Sequence, residues 1–315
     1  YGAFGIPYTS TRVQAGVSTQ TSSSGPNYLS TTYPYRTIGK LFINGGYCSA
    51  SLIARSVIVT AAHCIQDFGG GSSTYGGWTF VPGNYGAAGA TTVQFQPYGS
   101  WKWLKVVWPT TWSNGTDTGS GAARNNDLAV IILAKNSKGQ FIGDVVGWMK
   151  YATNNYSFIS SPKTGNMATA ATSTLGYPFL MDGGDIMQRV DGPSYLTTIG
   201  GALQIWQGSN FTGGSSGGPW VVNFVTNNAV LNWGAKLGTA PVRAVVGVTS
   251  WGSDDPNVIK DNYSSRFGQN PQYPLPAYGI YGAGNIGSLM NTACSSLITP
   301  LAVSNTYRNA GYCNL

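Results

Sequence analysis

The chain has 315 residues, 42% hydrophobic and 13% aromatic, which excludes a disordered protein and leaves room for two small β-domains or one large one. Only 9% of residues are charged, against roughly 25% in an average soluble protein, so Gly, Ser, Thr, Asn and Tyr carry the polarity. The net charge of +7 comes from 17 basic residues that form no run and no basic helix, so neither nucleic acid nor a membrane surface is expected as a partner. No apolar stretch approaches the ~18–20 residues that span a bilayer.

Residues 1–34, rich in Ser, Thr, Gly and Tyr, read as an extended arm over the folded body. Runs of β-formers then follow at Ile38–Ile43, Ser51–Ile53, Val57–Thr60, Thr91–Phe95, Lys105–Trp108 and Leu128–Leu133. More stand at Val145–Met149, Thr172–Leu175, Ala202–Gln207, Trp220–Phe224 and Ala244–Thr249. Glycine-rich turns such as Gly69–Gly77 and Gly83–Gly89 separate them, which points to an all-β barrel or sandwich. The Lys/Asn/Ser/Gly stretch Ala134–Gln140 suits a boundary between two β-domains. A single helix is expected late, capped by Asn285, with Ile286, Leu289, Met290, Ala293 and Leu297 at helical spacing. The organisation predicted is an arm (1–34), a β-barrel (35–137), a second β-barrel (138–284) and a helical tail (285–315).

Four cysteines, Cys48, Cys64, Cys294 and Cys313, fit no zinc spacing and suggest two disulfides in an oxidising compartment. The N-terminus lacks a signal-peptide core and reads as the start of a processed, secreted form. No cofactor and no metal is expected, although calcium held by loop carbonyls would leave no sequence signature.

Three segments carry chemistry. His63, the one histidine, follows the apolar run Val57-Ile58-Val59 in Thr60-Ala61-Ala62-His63-Cys64. Asp127 stands in Asn125-Asn126-Asp127 directly ahead of an apolar strand. Ser216 lies in Gly213-Gly214-Ser215-Ser216-Gly217-Gly218-Pro219, where glycines let consecutive N–H groups converge on one spot, as acyl transfer requires. The Gly214-Ser215-Ser216-Gly217-Gly218 run also fits the nucleophile elbow of α/β-hydrolases. There the histidine follows the serine; here it precedes it, which excludes that class.

These motifs resemble those of the trypsin-like serine peptidases, and the likeness covers roughly Tyr35 to Phe267. It implies an all-β chymotrypsin-like fold of two antiparallel six-stranded barrels, with His63, Asp127 and Ser216 as catalytic triad. It also implies an oxyanion hole from Gly214 and Ser216, and a secreted endopeptidase, expected to be monomeric, acting on protein or peptide substrates. Ser250-Trp251-Gly252 resembles the strand that pairs with substrate, so Asn210, Phe211, Thr212, Gly213, Thr249, Ser250, Trp251 and Gly252 are expected around it. The likeness pairs Cys48 with Cys64, leaving Cys294 for Cys313.

Phe141-Ile142-Gly143-Asp144-Val145-Val146, Gly176-Tyr177-Pro178, Thr212-Gly213-Gly214 and Gly183-Gly184-Asp185-Ile186-Met187-Gln188 look like the bacterial branch around staphylococcal glutamyl endopeptidase. Four positions depart from relatives. Ser215 stands where zymogen relatives place an aspartate. Asn210 replaces trypsin's specificity aspartate, and Thr249 and Ser250 stand where glutamyl endopeptidases keep a histidine. All ten acidic residues are aspartate, and a protease lacking its own target residue resists self-digestion. A preference for glutamate before the cut is one expectation, with Thr212, Ser250 or Arg243 binding its carboxylate. A neutral or hydrophobic pocket is the alternative, and an inactive binding homologue a further one.

Overall fold

The computed structural model describes residues 6–13, 21–22, 25–26, 29–86, 92–153, 158, 168–224, 242–255, 257–298 and 305–315. Its strands form two closed antiparallel barrels of six strands each. The first comprises β1 (Ile38–Ile43), β2 (Gly46–Ala54), β3 (Val57–Thr60), β4 (Thr79–Pro82), β5 (Trp101–Val107) and β6 (Ala129–Leu133). Its ring runs β1-β2-β3-β6-β5-β4 and returns to β1. The second comprises β7 (Thr169–Gly176), β8 (Gln188–Ile199), β9 (Ala202–Gly208), β10 (Pro219–Val222), β11 (Ala244–Gly252) and β12 (Asp261–Arg266). Its ring, β7-β8-β9-β12-β11-β10, repeats the first one's order strand for strand.

The β3–β6 pair explains how the halves meet. Successive side chains of a strand point to opposite faces. Ile58, Ala129, Ile131 and Leu133 fill the first barrel beside Leu52, Phe80 and Trp101. Val57, Val59, Val130 and Ile132 face outward into a second cluster, shared with Val245 and Val248 of β11 and with Ile286, Leu289 and Met290. Both faces are apolar because both are covered, and each large side chain so buried contributes about 1.5–3 kcal/mol.

The late helix spans Gly284–Ser295 and presents Ile286, Leu289, Met290 and Ala293 to this cluster. Two expectations about it are corrected. Its N-cap is Ala283, and Leu297 lies beyond its end, 40% exposed. Asn285 serves as a tie instead: Oδ1 accepts from Gly268 N and Ile286 N, and Nδ2 donates to Arg266 O and Asn126 Oδ1. Disulfides join Cys48 to Cys64 and Cys294 to Cys313. Beyond Cys294 the tail returns to the first barrel, where Arg55 N and Ser56 N donate to Asn314 O and Tyr312 O.

Two β-former runs are helical turns. Thr92–Phe95 is one, with the Phe95 carbonyl held by Asn84 Nδ2; Thr91 lies outside the described residues. The other, Val145–Met149, starts inside a helical turn, Ile142–Val146, that is ended by Gly147 at φ 74° and fixed to Arg55. The Arg55 guanidinium pairs bidentately with Asp144, and the Arg55 carbonyl accepts from Gly143 N. Of the arm, Thr9–Arg12 is a strand paired antiparallel with β8. β8 itself escapes a turn-based reading because Asp191-Gly192-Pro193 interrupts it. The arm strand flanks Gln188–Asp191 and β9 flanks Ser194–Ile199, so Pro193 falls where the flanking partner changes and no ladder needs its missing N–H.

The Cys294–Cys313 bridge closes 19 residues of chain, worth about 3 kcal/mol in the chain-entropy account. Cys294→Ser with Cys313→Ser should therefore lower the calorimetric melting temperature by several degrees. An unchanged melting temperature would show that the tail's other contacts suffice.

Candidate active site

Register brings His63 and Asp127 together. β3 pairs with β6 so that Thr60 faces Ala129, and the 3-10 turn Ala62–Cys64 then lies beside Asp127, two residues before β6. His63 Nδ1 lies 2.7 Å from Asp127 Oδ2, and His63 N donates to Asp127 Oδ1 at 2.9 Å. A carboxylate only accepts, so Nδ1 carries the proton and Nε2 is left as the free acceptor. The Asp127 side chain is 3% exposed, that of His63 33%.

Two further groups fix Asp127, both from the second barrel. Ser250 Oγ donates to Asp127 Oδ2 at 2.6 Å, and Asp127 N donates to Ser265 Oγ at 3.0 Å. Ser250 is the unpaired residue of a bulge in β11, since Thr249 pairs with Ser264 and Trp251 with Tyr263. Such an insertion re-aims a side chain, and here it turns Ser250 toward Asp127 rather than toward substrate. Asn126 adds a buried network: its N and Nδ2 donate to Asp117, and its Oδ1 accepts from Asn270 and Asn285.

Burial raises the pKa of Asp127, but the charge of His63 and the hydrogen bonds from His63 and Ser250 outweigh it, leaving the carboxyl below its ordinary value. For His63, burial opposes the charged form, and the Asp127 carboxylate wins by charge and hydrogen bond. The imidazole pKa therefore lies above its usual value.

The serine loop is pressed against this pair. A Cβ on Gly217 would stand 2.1 Å from Thr60 Oγ1 and 2.8 Å from Ala61 N, so only glycine lets the loop touch the strand end that carries His63. Ser49, next to the bridged Cys48, holds the loop twice: its N donates to Ser216 O and its Oγ to Gly214 O. Gly214 adopts φ +91°, and a side chain there would strike the Tyr47 ring and the Tyr177 carbonyl. Neither Gly214 N nor Ser216 N donates to any acceptor among the described residues. Ser215 is turned away, its hydroxyl donating to Thr212 O.

Beside Ser216 opens a cavity of about 140 Å³. Six of the residues expected around substrate line it: Phe211, Thr212, Gly213, Thr249, Trp251 and Gly252. Asn210 and Ser250 do not. Two lining residues escaped the sequence reading, Asp254 and Asn262, because the loop and strand after Trp251 carry no substrate-binding motif. Trp251 is set by stacking on Tyr263, with ring centroids 4.0 Å apart, and by donating Nε1 to Gln204 Oε1. Among the described residues the one cluster of metal-ligand type is Cys48, His63 and Cys64. Its two sulfurs are bonded to each other and offer no thiolate.

The family model described as Trypsin matches residues 27–264. A glutamyl endopeptidase of Bacillus licheniformis is 30% identical over 189 residues, 60% of this chain and 49% of that protein. The chain thus spans about half the length of this curated relative. Three solved structures share the fold. Protease Anisep from Arthrobacter nicotinovorans superposes with TM-score 0.57 at 22% identity, over 83% of this chain and 96% of that one. The thermostable serine protease AL20 from an extremophilic microorganism gives 0.53 at 24%, over 74% and 92%. A Glu endopeptidase in complex with MPD gives 0.51 at 18%, over 75% and 88%.

Because His63 is the single histidine, its imidazole proton should give one isolated NMR signal. That signal should titrate above the usual ~6.5. In Asp127→Asn, burial acts unopposed and the midpoint should fall below ~6.5. A midpoint that Asp127→Asn leaves unmoved would contradict the pairing.

Proposed function

This chain belongs to the trypsin family of serine peptidases, and we propose that it is an active, secreted endopeptidase using His63, Asp127 and Ser216. The observation that carries the reading is the acceptor Nε2 left on His63 by Asp127, beside a serine loop whose Gly214 and Ser216 N–H groups are unengaged among the described residues. Ser216 Oγ attacks the scissile carbonyl while His63 Nε2 takes its proton. The carbonyl oxygen, now negative, is held by the N–H groups of Gly214 and Ser216. Collapse expels the amine, which takes the proton back from His63, and leaves Ser216 acylated. Water, deprotonated by the same nitrogen, then releases the acid and restores Ser216. Asp127 holds the imidazole tautomer and offsets its charge, and Ser250 in turn holds Asp127.

Secretion is supported by two disulfides, which persist in oxidising compartments. The bonded His63–Asp127 pair, with Ser216 retained on the adjoining loop, disfavours the inactive homologue. The relative's name raises a preference for glutamate before the cut, and the absence of glutamate from this chain agrees with it. The pocket favours the other expectation, an uncharged occupant. None of its lining residues is Lys, Arg or His, and a carboxylate buried without a cation is costly.

A fluorophosphonate should label Ser216, and Ser216→Ala should lose about 10⁴-fold or more in kcat, since triad members act as a unit. Labelling at Ser215 would overturn the assignment. His63 accepts a proton only when neutral, and its pKa is raised. Peptidase kcat/KM should therefore climb through neutrality and plateau in mildly alkaline buffer. A rate undiminished at about pH 5 is incompatible with this mechanism.

A further inference from the structure

The cavity beside Ser216 is built for one kind of side chain. Its one ionisable wall residue is an acid, Asp254, exposed at the opening. The groups that could have received a carboxylate are engaged elsewhere. Ser250 is bonded to Asp127. Arg243 lies ahead of the first residue of β11, whose other end carries Trp251. Its Nε donates to the Phe224 carbonyl, and its guanidinium lies over the Tyr33 ring. Thr212 and Thr249 offer hydroxyls that already accept, from Leu180 N and Trp220 Nε1, and each keeps one proton that can turn to a neutral partner. No fixed positive charge stands in the wall.

Asn262 points to what does fit. It is 2% exposed, and its Nδ2 donates to the Phe211 carbonyl at 3.2 Å. That bond fixes the amide's orientation, because a flipped amide would set oxygen against oxygen. Asn262 Oδ1 is thereby an acceptor, buried and without a donor among the described residues. Buried acceptors without donors are rare and destabilising, and a substrate N–H relieves them. An ammonium would bring donors too. Its full charge would then rest on neutral oxygens, and the exposed Asp254 carboxylate, worth a severalfold effect through solvent, returns only part of the cost of stripping its water.

Building on the peptidase reading, we infer that Asn262 and Asp254 make this pocket select an uncharged side chain ending in a hydrogen-bond donor, with the carboxamide of glutamine its best fit. Glutamate has the same shape, but its carboxylate brings no donor to Asn262 Oδ1, finds no cation in the wall and carries a negative charge toward Asp254. Methionine fills the space and leaves Asn262 unanswered.

The test is a set of otherwise identical peptides with Gln, Glu, Met or Lys before the cut, with kcat/KM measured at mildly alkaline pH. Gln should exceed each of the others by about tenfold or more, the factor that ~1.4 kcal/mol of discrimination yields. In Asn262→Leu the rate for Gln should fall to that for Met, while fluorophosphonate labelling of Ser216 persists. In Asp254→Asn the rate for Glu should rise severalfold relative to Gln, which keeps the inference testable if Asn262→Leu does not fold. Cleavage after Glu, Met or Lys equal to that after Gln would overturn it, as would an unchanged Gln-to-Met ratio in a folded Asn262→Leu. Those outcomes leave the peptidase reading standing. Failure to cleave any of the four, together with no labelling of Ser216, would overturn both.

Discussion

The rest of the structure is arranged around one buried carboxylate. Asp127 sits between the barrels at 3% exposure, where an ionised acid is tolerated only if donors surround it. Those donors come from both halves: two nitrogens of His63 from the first barrel, the Ser250 hydroxyl from the second. Its own N–H is answered by Ser265, also of the second barrel. The constraint therefore reaches well beyond the histidine. It calls for the bulge that frees Ser250 from the β11 ladder and for the close seating of β12. It also sets the need for Asn126 and Asn285, which tie the neighbouring loop to the C-terminal helix.

A second constraint is contact between backbones. The serine loop reaches the histidine because Gly217 has no side chain to strike Thr60 and Ala61, and Gly214 none to strike Tyr47 and Tyr177. Ser49 links this loop to the Cys48–Cys64 bridge, so Ser216 is referenced to the same strand pair that carries His63. The dry cluster beneath, shared by β3, β6, β11 and the helix, keeps the two references in step.

What could be read from the sequence was whatever depends on neighbours along the chain. Val57–Thr60 and Ile38–Ile43 are strands with the bounds that their apolar runs set, and glycines around Ser216 announced a loop that must turn sharply. What resisted reading depends on partners far away. Ile142–Val146 is helical because Arg55 holds it, and β8 tolerates Gly192-Pro193 because its flanking partner changes there. Ser250 carried a motif that assigned it to substrate, and only the bulge shows it serving Asp127. Asp254 and Asn262 had no substrate-binding motif, and their place in the pocket follows from how β12 closes its ring.

The division of labour between the two rings has an evolutionary side. Every residue singled out for gripping a substrate side chain, from Phe211 to Asn262, belongs to the second ring or its loops, whereas His63 and Asp127 belong to the first. Drift in β11, β12 and the loop between them can therefore alter the pocket without moving His63 or Asp127. Ser250 and Ser265 are the exceptions, for they sit on those same strands yet serve Asp127. They mark the positions at which diversification of this scaffold should stall, while Asp254, a few residues away and facing solvent, is free to explore.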